Sequence, residues 1–303
     1  MLRITFLGTS AAQPTVGRNL SSLAIRRAGE LLLFDCGEGT QRQMIRFGTG
    51  FDVSTIFFTH FHADHYLGAI GFLRTLSMLG REAPLHLYGP RPAQRLLPTM
   101  LFTGTDPFVF PIEIHEIGPG DVIPVKGAAV RAFTTRHRTP SIGYALVEDA
   151  RPGRFHPDRA AALGVPPGPL YGELQHGRSV EVAGRTVRPE EVVEPSRRGR
   201  TVVVTGDTRP DDATVEAARA ADVLIHDSTF GDEEQDRAEE TMHATAREAA
   251  RVARQAGVRE LVLTHLSTRY DHDPSPLVRE ASEEFDRIVV AHDGLVMEIP
   301  LPP

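Results

Sequence analysis

The sequence predicts an α/β fold of four layers. Two β-sheets would face each other with helices outside them, an αβ/βα sandwich from which a flexible arm protrudes. Three observations predict it. Apolar runs of strand length end on glycine turns in both halves of the chain. Each half passes from strands to alternating helix and strand. Residues able to bind a metal ion recur where those strands end.

Taken in order, Leu2–Leu7, Ser22–Arg26 and Leu31–Asp35 read as strands, and Thr40–Phe47 as a helix after the Gly37-Glu38-Gly39 turn. Thr55–Thr59 is a short buried strand. Asp64–Leu79 reads as one helix, with Leu67, Ile70, Leu73 and Leu76–Leu79 on one face. Leu85–Tyr88 is a strand and Arg91–Phe102 a helix. From Ile112 the pattern turns to strands: Ile112–Ile117, Val122–Val125, Ala129–Thr135 and Gly143–Val147. The stretch from about Asp149 to Gly199 is rich in Pro, Gly and Arg and weak in apolar periodicity. It reads as an insertion with its own small structure, not a second hydrophobic domain. Order resumes with strands at Thr201–Thr205, Val223–His226, Leu261–Thr264 and a last one at Ile288–Ala291. Helices are expected at Asp211–Ala221, Ala244–Ala256 and Pro276–Phe285.

With 41% hydrophobic and 24% charged residues the composition is that of a soluble globular protein. Cys36 is the only cysteine, so no intramolecular disulfide can form, which suits a reducing cytoplasm. The start, MLRITFLGTS, lacks the pattern of a signal peptide. No apolar run reaches the roughly 18 residues of a membrane span, so no membrane partner is expected. The net charge of −7 argues against binding nucleic acid through overall charge. Positive charge is carried almost wholly by arginine, whose planar fork suits phosphate.

The most informative segment is Thr59-His60-Phe61-His62-Ala63-Asp64-His65, with four candidate ligands at the end of an apolar strand. In extended chain His60 and His62 point to one side. Asp64 and His65 would fall in the first turn of the following helix. His137, Asp207 and His265 recur in the same setting, each just after a strand. The expected division is His60, His62 and His137 for one ion, Asp64, His65 and His265 for a second, and Asp207 bridging. Imidazole and carboxylate are suitable zinc ligands. Two ions about 3.5–4 Å apart would hold a bridging hydroxide and clamp the attacking and leaving oxygens of a phosphodiester. Asp64 could also orient that water or accept its proton. Ser10, Ser21 and Cys36 have no base beside them in sequence, so a covalent mechanism has no motif behind it. His86, His115, His156, His176, His226, His272 and His292 show no ligand pattern, and the acidic run Gly231–Glu240 reads as a solvated face.

HxHxDH followed by a distant His, Asp and His resembles the signature of the metallo-β-lactamase superfamily. Several further stretches resemble ribonuclease Z, the tRNA 3′-processing endonuclease. These are Phe6-Leu7-Gly8-Thr9, the Pro14–Asn19 loop, Phe34-Asp35-Cys36-Gly37-Glu38-Gly39-Thr40-Gln41, Gly206-Asp207-Thr208-Arg209, and Leu263-Thr264-His265-Leu266-Ser267-Thr268-Arg269-Tyr270. The insertion fits too, through Val165-Pro166-Pro167-Gly168-Pro169-Leu170-Tyr171 and the exit Glu194-Pro195-Ser196-Arg197-Arg198-Gly199-Arg200.

The resemblance implies one catalytic domain over residues 1–303, with 150–198 as an inserted arm that grips tRNA. It implies a zinc-dependent endoribonuclease with two Zn2+ per subunit, cytoplasmic and homodimeric. Such an enzyme removes the 3′ trailer of precursor tRNA by attack of a metal-bound hydroxide, leaving a 3′-hydroxyl on the tRNA and a 5′-phosphate on the trailer. Residues 151–200 hold nine arginines against six carboxylates, so the arm is basic on an acidic body. Phosphate contacts need only the touching surface to be positive. The resemblance assigns His243, in Met242-His243-Ala244-Thr245, a catalytic role as proton donor to the leaving oxygen. It places Asp227 where the family usually has Glu, Ala244 where it has Ser, and Val16 where it has Lys. The alternative is a small-molecule phosphodiesterase or another hydrolase of the same fold.

Overall fold

Leu31, Leu32, Leu33 and Phe34 are all buried, and the two-residue period of a strand sends them to opposite faces. Leu32 and Phe34 enter one apolar cluster and Leu31 and Leu33 another. A strand covered on both faces must read as a continuous apolar run. The same holds at Leu261–Thr264, where Val262 faces one cluster and Leu261 and Leu263 the other.

The computed structural model describes residues 1–104 and 106–302 and divides them into two compact units. The first comprises Met1–Val147 and Thr201–Pro300 and holds two seven-stranded sheets. One sheet runs in the order Val296–Ile299, Leu2–Gly8, Ser22–Arg27, Glu30–Phe34, Val53–Phe57, Leu85–Gly89, Ile112–Glu116. It is antiparallel as far as Glu30–Phe34 and parallel beyond. The other runs Ile288–Val290, Leu261–Thr264, Val223–Asp227, Thr201–Val204, Ile142–Glu148, Ala128–Thr134, Val122–Val125. Its first four strands are parallel.

Between the sheets lie Ile4, Phe6, Phe34 and Phe57 from one side and Tyr144, Val202, Ile225 and Val262 from the other. Phe34 and Phe57 stack with centroids 5.1 Å apart, and the Tyr144 hydroxyl donates to Phe58 O at 2.6 Å, tying the layers together. Helix Gly68–Met78 covers the first sheet with Phe72, Leu73 and Leu76. Helix Ala246–Ala256 covers the second with an alanine face. Four layers result.

Three expectations need correction. The stretch read as one helix from Asp64 is two, Ala63–Tyr66 and Gly68–Met78. Gly68 N donates to Cys36 O at 2.9 Å instead of to the carbonyl four residues back, and a Cβ on Gly68 would lie 2.0 Å from Gly37 O. Backbone contact between two loops therefore breaks the helix. Ile288–Val290 is not the last strand: Val296–Ile299 returns to the first sheet beside Leu2–Gly8, with Leu2 opposite Ile299. Finally, the acidic run after Gly231 is a solvated face only in part: on its 3-10 turn and helix Gln235–Thr241, Glu233, Asp236, Glu239 and Glu240 are exposed, but Asp232 pairs with Arg247 and Glu234 with Tyr270 and Arg269.

The second unit holds Glu148–Arg200, joined by Leu301 and Pro302. It contains helices Pro157–Ala162, Pro169–Gln175 and Pro189–Val192 and the hairpin Val180–Val182/Arg185–Val187. Ala160, Val165, Leu174, Val180, Val187 and Val192 form an apolar cluster of its own. Its apolar residues come from five short elements and, with Val165, from the loop after Pro157–Ala162, so no single period marks them in the sequence. Among the described residues no helix is long and apolar enough to cross a membrane.

Candidate metal centre

Strand Val53–Phe57 delivers the chain to Thr59, after which His60, His62, Asp64 and His65 follow within one loop and helical turn. Strand Thr201–Val204 delivers Asp207, Leu261–Thr264 delivers His265, and the loop after Ala128–Thr134 delivers His137. Parallel strands of each sheet end on one side, so their following residues converge there. All seven expected ligands meet.

They form two groups that share Asp207. His60 Nε2 lies 3.0 Å from His62 Nδ1, and His62 Nδ1 is 3.2 Å from His137 Nε2. Asp207 Oδ2 lies 3.5 Å from His60 Nε2 and 3.8 Å from His137 Nε2. On the other side Asp207 Oδ1 is 3.2 Å from His65 Nε2 and 3.3 Å from His265 Nε2. Asp64 Oδ2 is 3.5 Å from each of those two nitrogens. Tetrahedral bonds of about 2.0–2.1 Å place neighbouring ligand atoms roughly 3.3 Å apart. Both groups have the spacing of atoms around a divalent ion.

Unmet bonding capacity makes the same point. His65 Nε2, His265 Nε2 and Asp207 Oδ1 are buried, and none has a hydrogen-bond partner among the described residues. Leaving such an atom unsatisfied costs about 1–3 kcal/mol. The three atoms point at one another, and a cation between them would satisfy all three. The arrangement can therefore hold divalent metal.

The imidazoles of His65, His137 and His265 are each fixed through the other nitrogen, which sets the tautomer. His65 Nδ1 donates to Asp35 Oδ2 at 2.8 Å, and Asp35 is held by the hydroxyl and amide of Thr59 at 2.8 and 2.7 Å. His137 Nδ1 donates to Met242 O at 2.9 Å. His265 Nδ1 lies 2.9 Å from the Thr229 hydroxyl, which in turn donates to Asp227 Oδ1 at 2.7 Å. His265 has φ +58°, a left-handed conformation uncommon for histidine. Gly206, before Asp207, has φ +62°, and a Cβ there would lie 2.6 Å from the Cβ of Thr59. Burial opposes ionisation of Asp207, but the imidazoles of His265, His65 and His60 hold it well below the usual carboxylate range.

His243 stands beside this centre. Its Nδ1 is 2.8 Å from Asp227 Oδ2 and 3.9 Å from Asp207 Oδ2. The shorter aspartate thus reaches the imidazole without strain on the contact. Burial disfavours the charged ring, but the neighbouring Asp227 carboxylate outweighs it and lifts His243 to about 9. Beside it opens a cleft of about 470 Å³ lined by Gln13, Phe230, Arg237, His243 and Arg269 among others.

The sequence missed part of the support. Arg209 donates to His243 O at 2.7 Å and pairs with Glu248, which caps helix Ala246–Ala256 together with Thr245. The Thr245-to-Glu248 spacing was the available signal. In the Pro14–Asn19 loop, Arg18 is buried and donates to Thr9 Oγ1 and Ala291 O at 2.8 and 2.7 Å. Val16 is fully exposed, so its departure from lysine disturbs no packing.

Comparison with known proteins agrees with this geometry. A family model described as the metallo-beta-lactamase superfamily matches residues 16–265. Ribonuclease Z of Myxococcus xanthus is 61% identical, with 99% of each chain covered. Ribonuclease Z of Methanosarcina acetivorans is 53% identical, with 100% of each covered. Among solved structures, the short form of human tRNase Z superposes with TM-score 0.71 at 29% identity, covering 98% of this chain and 99% of that one. The Bacillus subtilis protein YhfI has the same TM-score at 19% identity, covering 98% of each chain, a likeness of fold alone. The chain belongs to the ribonuclease Z family of the metallo-β-lactamase superfamily.

Proposed function

We propose that this chain is a metal-dependent endoribonuclease that removes the 3′ trailer from precursor tRNA, leaving a 3′-hydroxyl on the tRNA and a 5′-phosphate on the trailer. The observation that carries the reading is the pair of ligand groups sharing Asp207, with the His243–Asp227 pair at their edge. Ribonuclease Z relatives that match along the whole chain support the substrate.

His60, His62 and His137 would hold one zinc ion and Asp64, His65 and His265 the second, with Asp207 shared. When bound, such ions supply Lewis-acid stabilisation of phosphodiester oxygens and make water a stronger acid. Asp64, its Oδ2 held by the Ala12 amide at 2.9 Å, orients the attacking water and accepts its proton. With Nδ1 of His243 committed to Asp227, Nε2 is the ring nitrogen available to a reacting group. It donates a proton to the departing O3′. Arg237 and Arg269 line the cleft and offer cationic contacts to RNA phosphates.

The arm, residues 150–198, grips tRNA; its eight arginines against six carboxylates, a net +2 on a chain of −7, support this. The enzyme works in the cytoplasm as a homodimer, a reading that rests on the family resemblance.

The direct test incubates purified protein with a 3′-extended tRNA precursor, with and without a chelator, beside Asp64→Ala. The expected result is one chelator-sensitive cut near the discriminator base, lost in the variant. An intact precursor, with the same sample hydrolysing a small phosphodiester, would keep the metal chemistry and remove the tRNA assignment.

A further inference from the structure

At one edge of the first sheet, strands Leu85–Gly89 and Ile112–Glu116 run parallel. Their register sets His86 beside Glu113 and Tyr88 beside His115. Residues two apart in a strand share a face, so these four side chains stand together. His86 Nδ1 lies 3.3 Å from Glu113 Oε2, and His115 Nε2 lies 3.8 Å from the same oxygen. Both nitrogens are shielded from solvent, and neither has a hydrogen-bond partner among the described residues. The Tyr88 ring stacks on His115 with centroids 4.4 Å apart and planes 15° apart, and more loosely on His86 at 6.5 Å. The imidazoles are held in place while one nitrogen of each stays unmatched.

We propose that His86, Glu113 and His115 form a further divalent-metal site, separate from the seven-ligand centre, that takes zinc or a similar borderline transition ion. The donor set is two imidazole nitrogens and one carboxylate oxygen, which suits zinc. The 3.3 and 3.8 Å separations bracket the roughly 3.3–3.4 Å expected between ligands of a tetrahedral ion. All three atoms lie within 4.8 Å of one another. Protonating both rings would set two cations against one carboxylate, whereas a single ion satisfies all three atoms at once. Glu113 is exposed, so the fourth coordination position opens to water. Ile112–Glu116 is an edge strand, with one side of its backbone unpaired by the sheet. An ion shared with Leu85–Gly89 would pin that edge, and binding to the folded state alone would stabilise it.

The test uses the full chain with its main centre filled. Wild type and the His86→Ala/His115→Ala double variant are dialysed to equilibrium against buffered free zinc, and bound zinc per chain is counted. Wild type is expected to hold one more ion than the double variant, with RNA cleavage equal in both. In wild type the ring nitrogen resonances of His86 and His115 should shift on adding zinc, and its melting temperature should rise where that of the double variant does not. Equal zinc in the two proteins overturns the proposal. Should the double variant fail to fold, the wild-type ring resonances decide: unshifted rings overturn it.

Discussion

Asp227 is one carboxylate with two duties. Oδ2 meets His243, and Oδ1 accepts from the hydroxyl and amide of Thr229, whose hydroxyl fixes His265. Two substitutions should separate these duties. His243→Ala removes the proposed proton donor and leaves the seven metal-centre side chains in place. It is expected to lower kcat about 10²–10⁴-fold with metal content unchanged. Asp227→Ala should show the same loss and lose metal as well, because Thr229 no longer has its anchor. Metal analysis beside kinetics reads both, and full metal in the Asp227 variant would break the link through Thr229. Asp35 offers a comparison. It touches His65 but lies in neither ligand group, so Asp35→Ala should weaken metal affinity about 10–100-fold with the ligands still present.

At the scale of elements, the start of helix Ala246–Ala256 does more than begin a helix. Thr245 and Glu248 cap each other, with Thr245 N donating to Glu248 Oε2 at 2.9 Å. The same glutamate pairs with Arg209, which holds the His243 carbonyl. Thr245→Ala loses a cap and should cost about 1 kcal/mol. Glu248→Ala also strands a nearly buried guanidinium and should cost about 3–5 kcal/mol. Denaturant unfolding of both variants measures the difference, and equal losses would mean that the Arg209 pair contributes little. What was legible in the sequence follows the same physics. The inner strands were readable because burial on both faces makes them continuous apolar runs. His60, His62, Asp64 and His65 were readable because one loop carries them. Val296–Ile299 was not, being four residues of weak pattern that depend on pairing with Leu2–Gly8. The break before Gly68 depends on the carbonyls of Cys36 and Gly37, and the His86–Glu113–His115 group on the register of two strands. Such contacts between distant segments leave no periodic trace in the chain.

For the whole molecule, the proposed division of labour between metal centre and arm makes the last prediction. Val147 and Thr201 are register partners in adjacent antiparallel strands, and Glu148 N donates to Arg200 O at 2.9 Å. Arg151 and Arg197 continue that pairing, exchanging amide hydrogen bonds at 2.7 and 2.9 Å. The strands enter and leave the insertion side by side, so residues 151–197 can be replaced by a two-residue Asn-Gly turn without cutting the sheet. The apolar cluster of the second unit is removed whole, leaving no half-exposed core behind. If the arm serves only to hold tRNA, the shortened chain should lose precursor cleavage and keep hydrolysis of a small phosphodiester. Equal loss of both would mean that the arm supports the centre itself. A mixing experiment goes further. In a homodimer where one subunit's arm presents tRNA to the other's metals, the shortened chain and full-length Asp64→Ala are each inactive on precursor. Exchanged into mixed dimers, one contributes a working centre and the other a working arm, and cleavage should return. Mixed dimers that form and stay inactive would confine each arm to its own centre.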